Sequence, residues 1–114
     1  MSRTWIPDAG DFISVDFHPQ AGHEQAGRRP ALVVSERSYN SKAGLAVVCP
    51  ITNQVKGYPF EVPIPAGSKI TGVVLSDQIK SIDWRARQAQ QIQAAPPGVL
   101  DTVRRYVALI LGFR

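Results

Sequence analysis

Three polar clusters in this 114-residue chain hold the side chains with chemical potential: GHEQAGRRP (Gly22 to Pro30), PITNQVKGYPFEV (Pro50 to Val62) and SDQIKSIDWRAR (Ser76 to Arg87). Together they gather His23, Glu24, Arg28, Arg29, Thr52, Asn53, Gln54, Lys56, Tyr58, Asp77, Gln78, Lys80, Arg85 and Arg87. This is an inventory for phosphate and base. Arg and Lys neutralise backbone charge, Asn and Gln amides read base edges, and an aromatic ring offers a stacking face. Solvated loops carry such residues routinely, so no cluster is diagnostic alone. Each one interrupts or follows an apolar run, however, where binding groups on a rigid scaffold are usually found.

The composition fits that inventory. Thirteen Lys and Arg against nine Asp and Glu give a formal net charge of +4, and nine of the cations are Arg. A planar guanidinium fork suits phosphate, so composition leaves two readings of this charge evenly balanced, an anionic partner such as nucleic acid and a solubilising role. With 44% hydrophobic and 19% charged residues, the chain reads as one globular domain over residues 1–114, not as a disordered or repetitive one. Cys49 is the sole cysteine, and there are two histidines. No internal disulfide and no Cys/His zinc site can be built from these, and no carboxylate cluster suggests a metal-dependent nuclease. No apolar stretch reaches the roughly 20 residues of a membrane helix, and MSRTWIPDAGD lacks the apolar run of a signal peptide. The expectation is a cytoplasmic protein without membrane contact.

The elements that must position the clusters follow from apolar periodicity. Asp11 to Phe17 alternates through Ile13, Val15 and Phe17 as a half-buried strand does. Further strands are expected at Ala31 to Ser35, Leu45 to Ile51 and Phe60 to Ile64, with ERSYNSKAG as a polar connection. Gly72 to Ile82 reads as one long strand. RARQAQQIQAA fits helix or strand, and the need for β partners together with the Pro96-Pro97 stop favours strand. Val99 to Leu111 is the clearest element. Leu100, Val103, Val107, Ile110 and Leu111 recur at helical spacing, and Gly112 sits at the expected C-cap. This helix, about 20 Å long, should cover the sheet and leave Arg104 and Arg105 on its solvated side. Trp84 reads as core or interface, and Cys49 as a buried thiol, not a nucleophile.

The ordered set of VDF (Val15 to Phe17), G-x-EQAG-x-RP (Gly22 to Pro30), KGYPFEV (Lys56 to Val62) and DQ-x-KSI (Asp77 to Ile82) followed by WRAR resembles the MazF/PemK toxins of toxin–antitoxin systems. The resemblance covers nearly the whole chain and is nearest the chromosomal MazF branch. It implies an SH3-like β-barrel with a C-terminal amphipathic helix, a homodimer, and sequence-specific, metal-independent cleavage of single-stranded RNA that leaves 2′,3′-cyclic phosphate and 5′-hydroxyl ends. It also implies a MazE-like antitoxin whose acidic segment occupies the basic groove, and no cofactor.

By the same resemblance the catalytic Arg falls on Arg29 and the catalytic Thr on Thr52. Glu24 matches a position implicated in activity, while His23 and Asp77 match PemK/Kid site residues. Where that branch has an Arg two residues before the Asp, this chain has Leu75, so a mechanism using that Arg does not transfer. Arg28, Asn53, Gln54, Lys56, Tyr58, Asp77, Gln78, Lys80, Arg85 and Arg87 are the candidates for contacting RNA. Two other functions fit a basic barrel: a CcdB-like gyrase-binding toxin and a non-catalytic nucleic-acid-binding module. Arg29, Thr52 and the Glu24-Gln25 pair favour the nuclease.

Overall fold

In a computed structural model, residues 5–16 and 27–113 are described. They form an antiparallel sheet of seven strands in the order β4-β5-β3-β2-β1-β7, with β6 also paired to β3. The strands are β1 (Asp11–Asp16), β2 (Arg28–Val33), β3 (Leu45–Thr52), β4 (Glu61–Pro63), β5 (Val73–Leu75), β6 (Lys80–Asp83) and β7 (Gln90–Ala94). Two helices accompany them, α1 (Arg37–Ala43) and α2 (Val99–Leu111). The sheet curls into the small barrel that the sequence resemblance implies.

Both faces of its central strands are buried. Neighbouring residues along a strand point to opposite faces. Phe12, Leu32, Cys49 and Val74 accordingly meet Val99, Val103 and Val107 of α2 in one core, while Ile13, Val15, Ala31, Val33, Val48, Ile82 and Trp84 form a second. β1 keeps the expected alternation, with Ile13 and Val15 buried and Ser14 and Asp16 half-buried, while Phe12 at 0% exposure faces the first core; Phe17 lies outside the described residues. In β2, Ala31, Leu32 and Val33 are all buried. This explains the unbroken apolar run ALVV, since a strand covered on both sides has no reason to alternate.

Beyond the start of β2 at Arg28, the structure departs from the sequence expectations in ERSYNSKAG, Gly72 to Ile82, RARQAQQIQAA and the last helix. ERSYNSKAG is not a plain connection, because Arg37–Ala43 is helical and ends on Gly44 in the left-handed region at φ 71°. What anchors α1 is polar. Asn40 is completely buried and its Nδ2 donates to the carbonyls of Pro7 (2.8 Å) and Ser35 (3.1 Å). Gly72 to Ile82 is two strands, not one. β5 pairs with Ile51 and Thr52 at the end of β3, and β6 pairs with Leu45 to Val48 at its start. Between them Ser76–Gln78 forms a 3-10 turn beside Pro50, which has no N–H to offer a ladder. Of RARQAQQIQAA only Gln90–Ala94 is strand; residues 84–88 turn, with Gln88 at φ 54°.

The last departure concerns α2. Arg104 is not left to solvent: its Nε and Nη2 donate to the Val34 carbonyl at 3.3 and 2.7 Å, and it lies 3.8 Å from the Glu36 carboxylate. Arg105 is exposed as expected. Val103 and Val107 pack inward as the helical spacing predicts, but Leu109, Ile110, Leu111 and Phe113 remain exposed at the helix end. No helix among the described residues is long and apolar enough to cross a membrane.

Candidate functional site

β2 begins at Arg28, three residues earlier than the apolar run suggests, so Arg28 and Arg29 belong to the sheet and not to a loop. Arg29 stands opposite Val15 of β1. On its other side, β2 and β3 pair Val33 with Val48, Leu32 with Cys49 and Ala31 with Pro50. Two residues further along the same register lie Arg29 and Thr52. Side chains alternate along a strand, so these two continue the row of Ala31, Val33 and Val48 out of the second core and into solvent. The row leaves the core as a cation beside a hydroxyl.

Three adjoining cavities meet at this point. The first, of about 350 Å³, is lined by Arg28, Arg29, Pro30, Ile51, Thr52, Asn53 and Thr71. The second, of about 330 Å³, shares Arg29 and Thr52 and adds Leu75, Gln78, Lys80, Ser81 and Arg87. The third, of about 210 Å³, runs from Thr52 past Gln54, Lys56, Tyr58 and Glu61 to Asp77 and Gln78. Thr52 borders all three and Arg29 two, which makes one continuous groove centred on them.

The Thr52 hydroxyl is oriented by the chain itself. Its oxygen accepts the Gln54 N–H at 3.0 Å, a side-chain turn of the Ser/Thr type, which leaves the hydroxyl hydrogen to donate outward. Gly72 makes this turn possible. At φ +111°, a Cβ there would lie 2.2 Å from the Thr52 carbonyl oxygen, so no other residue lets β5 approach so closely. Thr71 Oγ1 donates to Asn53 Oδ1 at 2.8 Å and fixes the next side chain.

The basic side chains differ sharply in what holds them. Arg28 donates through Nε to Ser14 Oγ (2.8 Å) and through Nη2 to the Ser14 carbonyl (2.7 Å) and the Gln88 carbonyl. It braces β1 against the 84–88 turn while remaining exposed on the lining of the first cavity. Arg87 Nη1 donates to the Asp16 carbonyl at 3.1 Å, and Asp16 N–H returns a bond to the Arg87 carbonyl at 3.0 Å. The Arg85 guanidinium lies 4.4 Å from the centre of the Trp84 ring, away from the three cavities. Among the described residues no hydrogen bond or ion pair restrains the Arg29 guanidinium.

Asn53, Gln54, Lys56, Tyr58, Asp77, Gln78 and Lys80 all line the groove and are exposed. His23 and Glu24 lie outside the described residues. Trp84 is buried, with its Nε1–H donating to the Asn40 carbonyl at 3.0 Å. Cys49 is buried too, and desolvation, aided by the negative charge of Asp77, pushes its thiol from 9.0 up to about 12. That rules it out as a thiolate at neutral pH. Gly72 and Glu61 escape a reading based on reactive side chains because they act on the backbone. The signal for Glu61 was its place after the Gly57-containing loop of KGYPFEV.

Comparison with known proteins yields a consistent set of similarities. The sequence model of the family described as PemK-like, MazF-like toxin of type II toxin-antitoxin system matches residues 8–111. The chain is 46% identical over 112 residues to the endoribonuclease toxin MazF of Escherichia coli K12, covering 98% of this chain and 100% of that one. It is 34% identical over 108 residues to Escherichia coli endoribonuclease PemK, covering 91% and 81%. Among solved structures, a MazE-MazF complex from Deinococcus radiodurans superposes with a TM-score of 0.88 at 44% identity, over 97% of this chain and 100% of its counterpart.

Proposed function

The chain belongs to the PemK-like, MazF-like toxin family, and from that premise and the shape of the groove we propose that it is an endoribonuclease toxin held in check by an antitoxin. One observation carries the reading. Arg29 and Thr52, each two residues beyond the last β2–β3 pair, together border two of the three cavities of the groove.

The reaction is transesterification at phosphorus. The 2′-hydroxyl oxygen attacks, its proton departs, the P–O5′ bond breaks in line, and the 5′-oxygen takes up a proton. The products are a 2′,3′-cyclic phosphate and a 5′-hydroxyl, and no metal is required. Arg29 is a fixed cation with its donors available, suited to clamp the non-bridging oxygens as charge builds on the phosphorane. Thr52, with its lone pair engaged by Gln54 N–H, donates its hydrogen to the same phosphate. Proton transfer falls to Glu24 or His23. Lys56 and Lys80 attract the flanking phosphates, and Gln54, Tyr58 and Gln78 face the bases. Asp77 beside Gln78 accepts from base N–H groups.

The antitoxin partner is a MazE-like protein whose acidic segment competes for the same cationic groove. The exposed apolar end of α2 suits a homodimer, and a cytoplasmic location fits a substrate that is messenger RNA. The test is to incubate the purified protein, in EDTA, with a mixed-sequence RNA and with its all-deoxy counterpart. Cleavage of the RNA alone, lost in Arg29→Ala with unchanged circular dichroism, supports the reading; intact RNA, or equal cutting of the DNA, refutes it.

A further inference from the structure

Two anionic side chains, Asp77 and Glu61, stand in a groove meant for a polyanion, and Glu61 is the one whose carboxylate is engaged by backbone amides. Glu61 opens β4 opposite Leu75 and borders the smallest of the three cavities together with Lys56 and Tyr58. A carboxylate there repels phosphate, so its contacts must explain it. Oε1 accepts the Gly57 N–H at 2.9 Å and Oε2 accepts the Lys56 N–H at 3.1 Å. Two successive backbone donors thus converge on one carboxylate, in charge-assisted bonds stronger than neutral ones. The Glu61 N–H also donates to the Tyr58 carbonyl at 3.2 Å, and Gly57 takes the left-handed conformation, φ +80°, that turns both donors inward. Within the loop itself the other backbone bond is Val55 N–H to the Asn53 carbonyl at 3.1 Å. Without Glu61, the stretch carrying Lys56 and Tyr58 would lose two of its fixed points.

Resting on the nuclease reading above, we infer that Glu61 is a positioning residue that sets sequence preference: it locks the Lys56–Tyr58 stretch so that Tyr58 meets the base next to the scissile phosphate while Lys56 holds the phosphate flanking it. Its carboxylate touches no substrate. The geometry separates tasks within the groove, with Arg29 and Thr52 acting on phosphorus and Glu61 fixing what the adjoining cavity accepts.

The experiment uses the full chain and three readouts. Amide hydrogen exchange reports Lys56 and Gly57, end-sequencing of a cleaved random RNA pool reports preference, and steady-state kinetics on the preferred site separate KM from kcat. In Glu61→Gln both amides should exchange at least about tenfold faster. kcat/KM on the preferred site should fall about tenfold, mostly through KM, while cleavage spreads to other sequences. Placed on a Lys56→Ala, Tyr58→Ala background, Glu61→Gln should add no further loss, because the side chains it positions are gone. Glu61→Asp, which keeps the charge on a shorter arm, should fall between, and it serves where the amide variant folds poorly. An unchanged site distribution, a loss in kcat alone, or full additivity with the double variant overturns the inference. If the unaltered protein protects both amides but cuts no RNA, the nuclease reading fails and the specificity role with it. If it cuts RNA while both amides exchange freely, the nuclease stands and the clamp fails.

Discussion

The two walls of the groove are built on opposite plans. On the wall of β1, β2 and the 84–88 turn, side chains hold backbone: Arg28 and Arg87 reach the carbonyls of Ser14, Gln88 and Asp16, and Arg29 is left to face solvent. On the wall of the 53–61 loop, one carboxylate holds the backbone, and Gln54, Lys56 and Tyr58 point outward. A cation that must meet a phosphate within a few tenths of an ångström gains from a braced frame. Side chains that distinguish bases gain from a loop that can vary without disturbing that frame. Adjacent arginine side chains in one sequence motif are therefore held differently, Arg28 by bonds to Ser14 and Gln88 and Arg29 by none among the described residues.

The comparison is most exposed at Arg29. Arg29→Ala should lower kcat on a short RNA by about 10³-fold or more, the scale of losing the principal charge stabiliser, while the melting temperature stays within about 2 °C because nothing in the described fold leans on the guanidinium. Thr52→Val should cost about 10²-fold in kcat, and Thr52→Ser, which keeps the hydroxyl, should restore most of it. Arg28→Ala should show the reverse pattern. Losing its bonds to Ser14 and Gln88 should destabilise the fold by about 1–2 kcal/mol, several degrees in melting temperature, with activity falling chiefly as a consequence. Comparable melting curves for Arg28→Ala and Arg29→Ala would erase the distinction between them.

On the reading wall, Lys56→Ala should weaken RNA binding and flatten the log–log salt dependence by about 0.7, the value for one phosphate contact on a single strand. An effect confined to high pH, and absent under the conditions of the assays above, lies beneath both walls. With the Cys49 thiol raised by burial from 9.0 to about 12, its neutral form is favoured in the fold. Its contribution to stability is complete below pH 9 and declines as the pH rises from 9 towards 12, where the unfolded chain releases a proton that the folded chain keeps, at up to about 1.4 kcal/mol per pH unit. Thermal melts should fall more steeply over that range in the parent than in Cys49→Ala. At pH 8 the native thiol should resist iodoacetamide without loss of activity.

Much of this was legible in the sequence where side chains carry the signal. α2 showed through the spacing of Val103 and Val107, β3 through its apolar run, and Arg29 and Thr52 through motifs whose order matched a known family. What escaped was written in main-chain acceptors and donors. The bracing role of Arg28 depends on two carbonyls that any residue would supply, and α1 is anchored by the amide of Asn40, which the apolar period does not register. The break between β5 and β6 falls beside Pro50 of β3, with β4 and β5 lying between them in the chain. Gly72 reads as the start of a strand until the Thr52 carbonyl is seen beside it.

The central claim is that the Arg29–Thr52 end of the β2–β3 ladder performs attack by a 2′-hydroxyl. The most direct test is a pair of oligonucleotides, cleaved in EDTA, that differ only in the 2′-group of the nucleotide 5′ to the scissile phosphate. The ribose substrate should yield a 2′,3′-cyclic phosphate and a 5′-hydroxyl, and the single 2′-deoxy substitution should leave the strand intact. Cleavage of the 2′-deoxy oligonucleotide at the same bond would contradict the account.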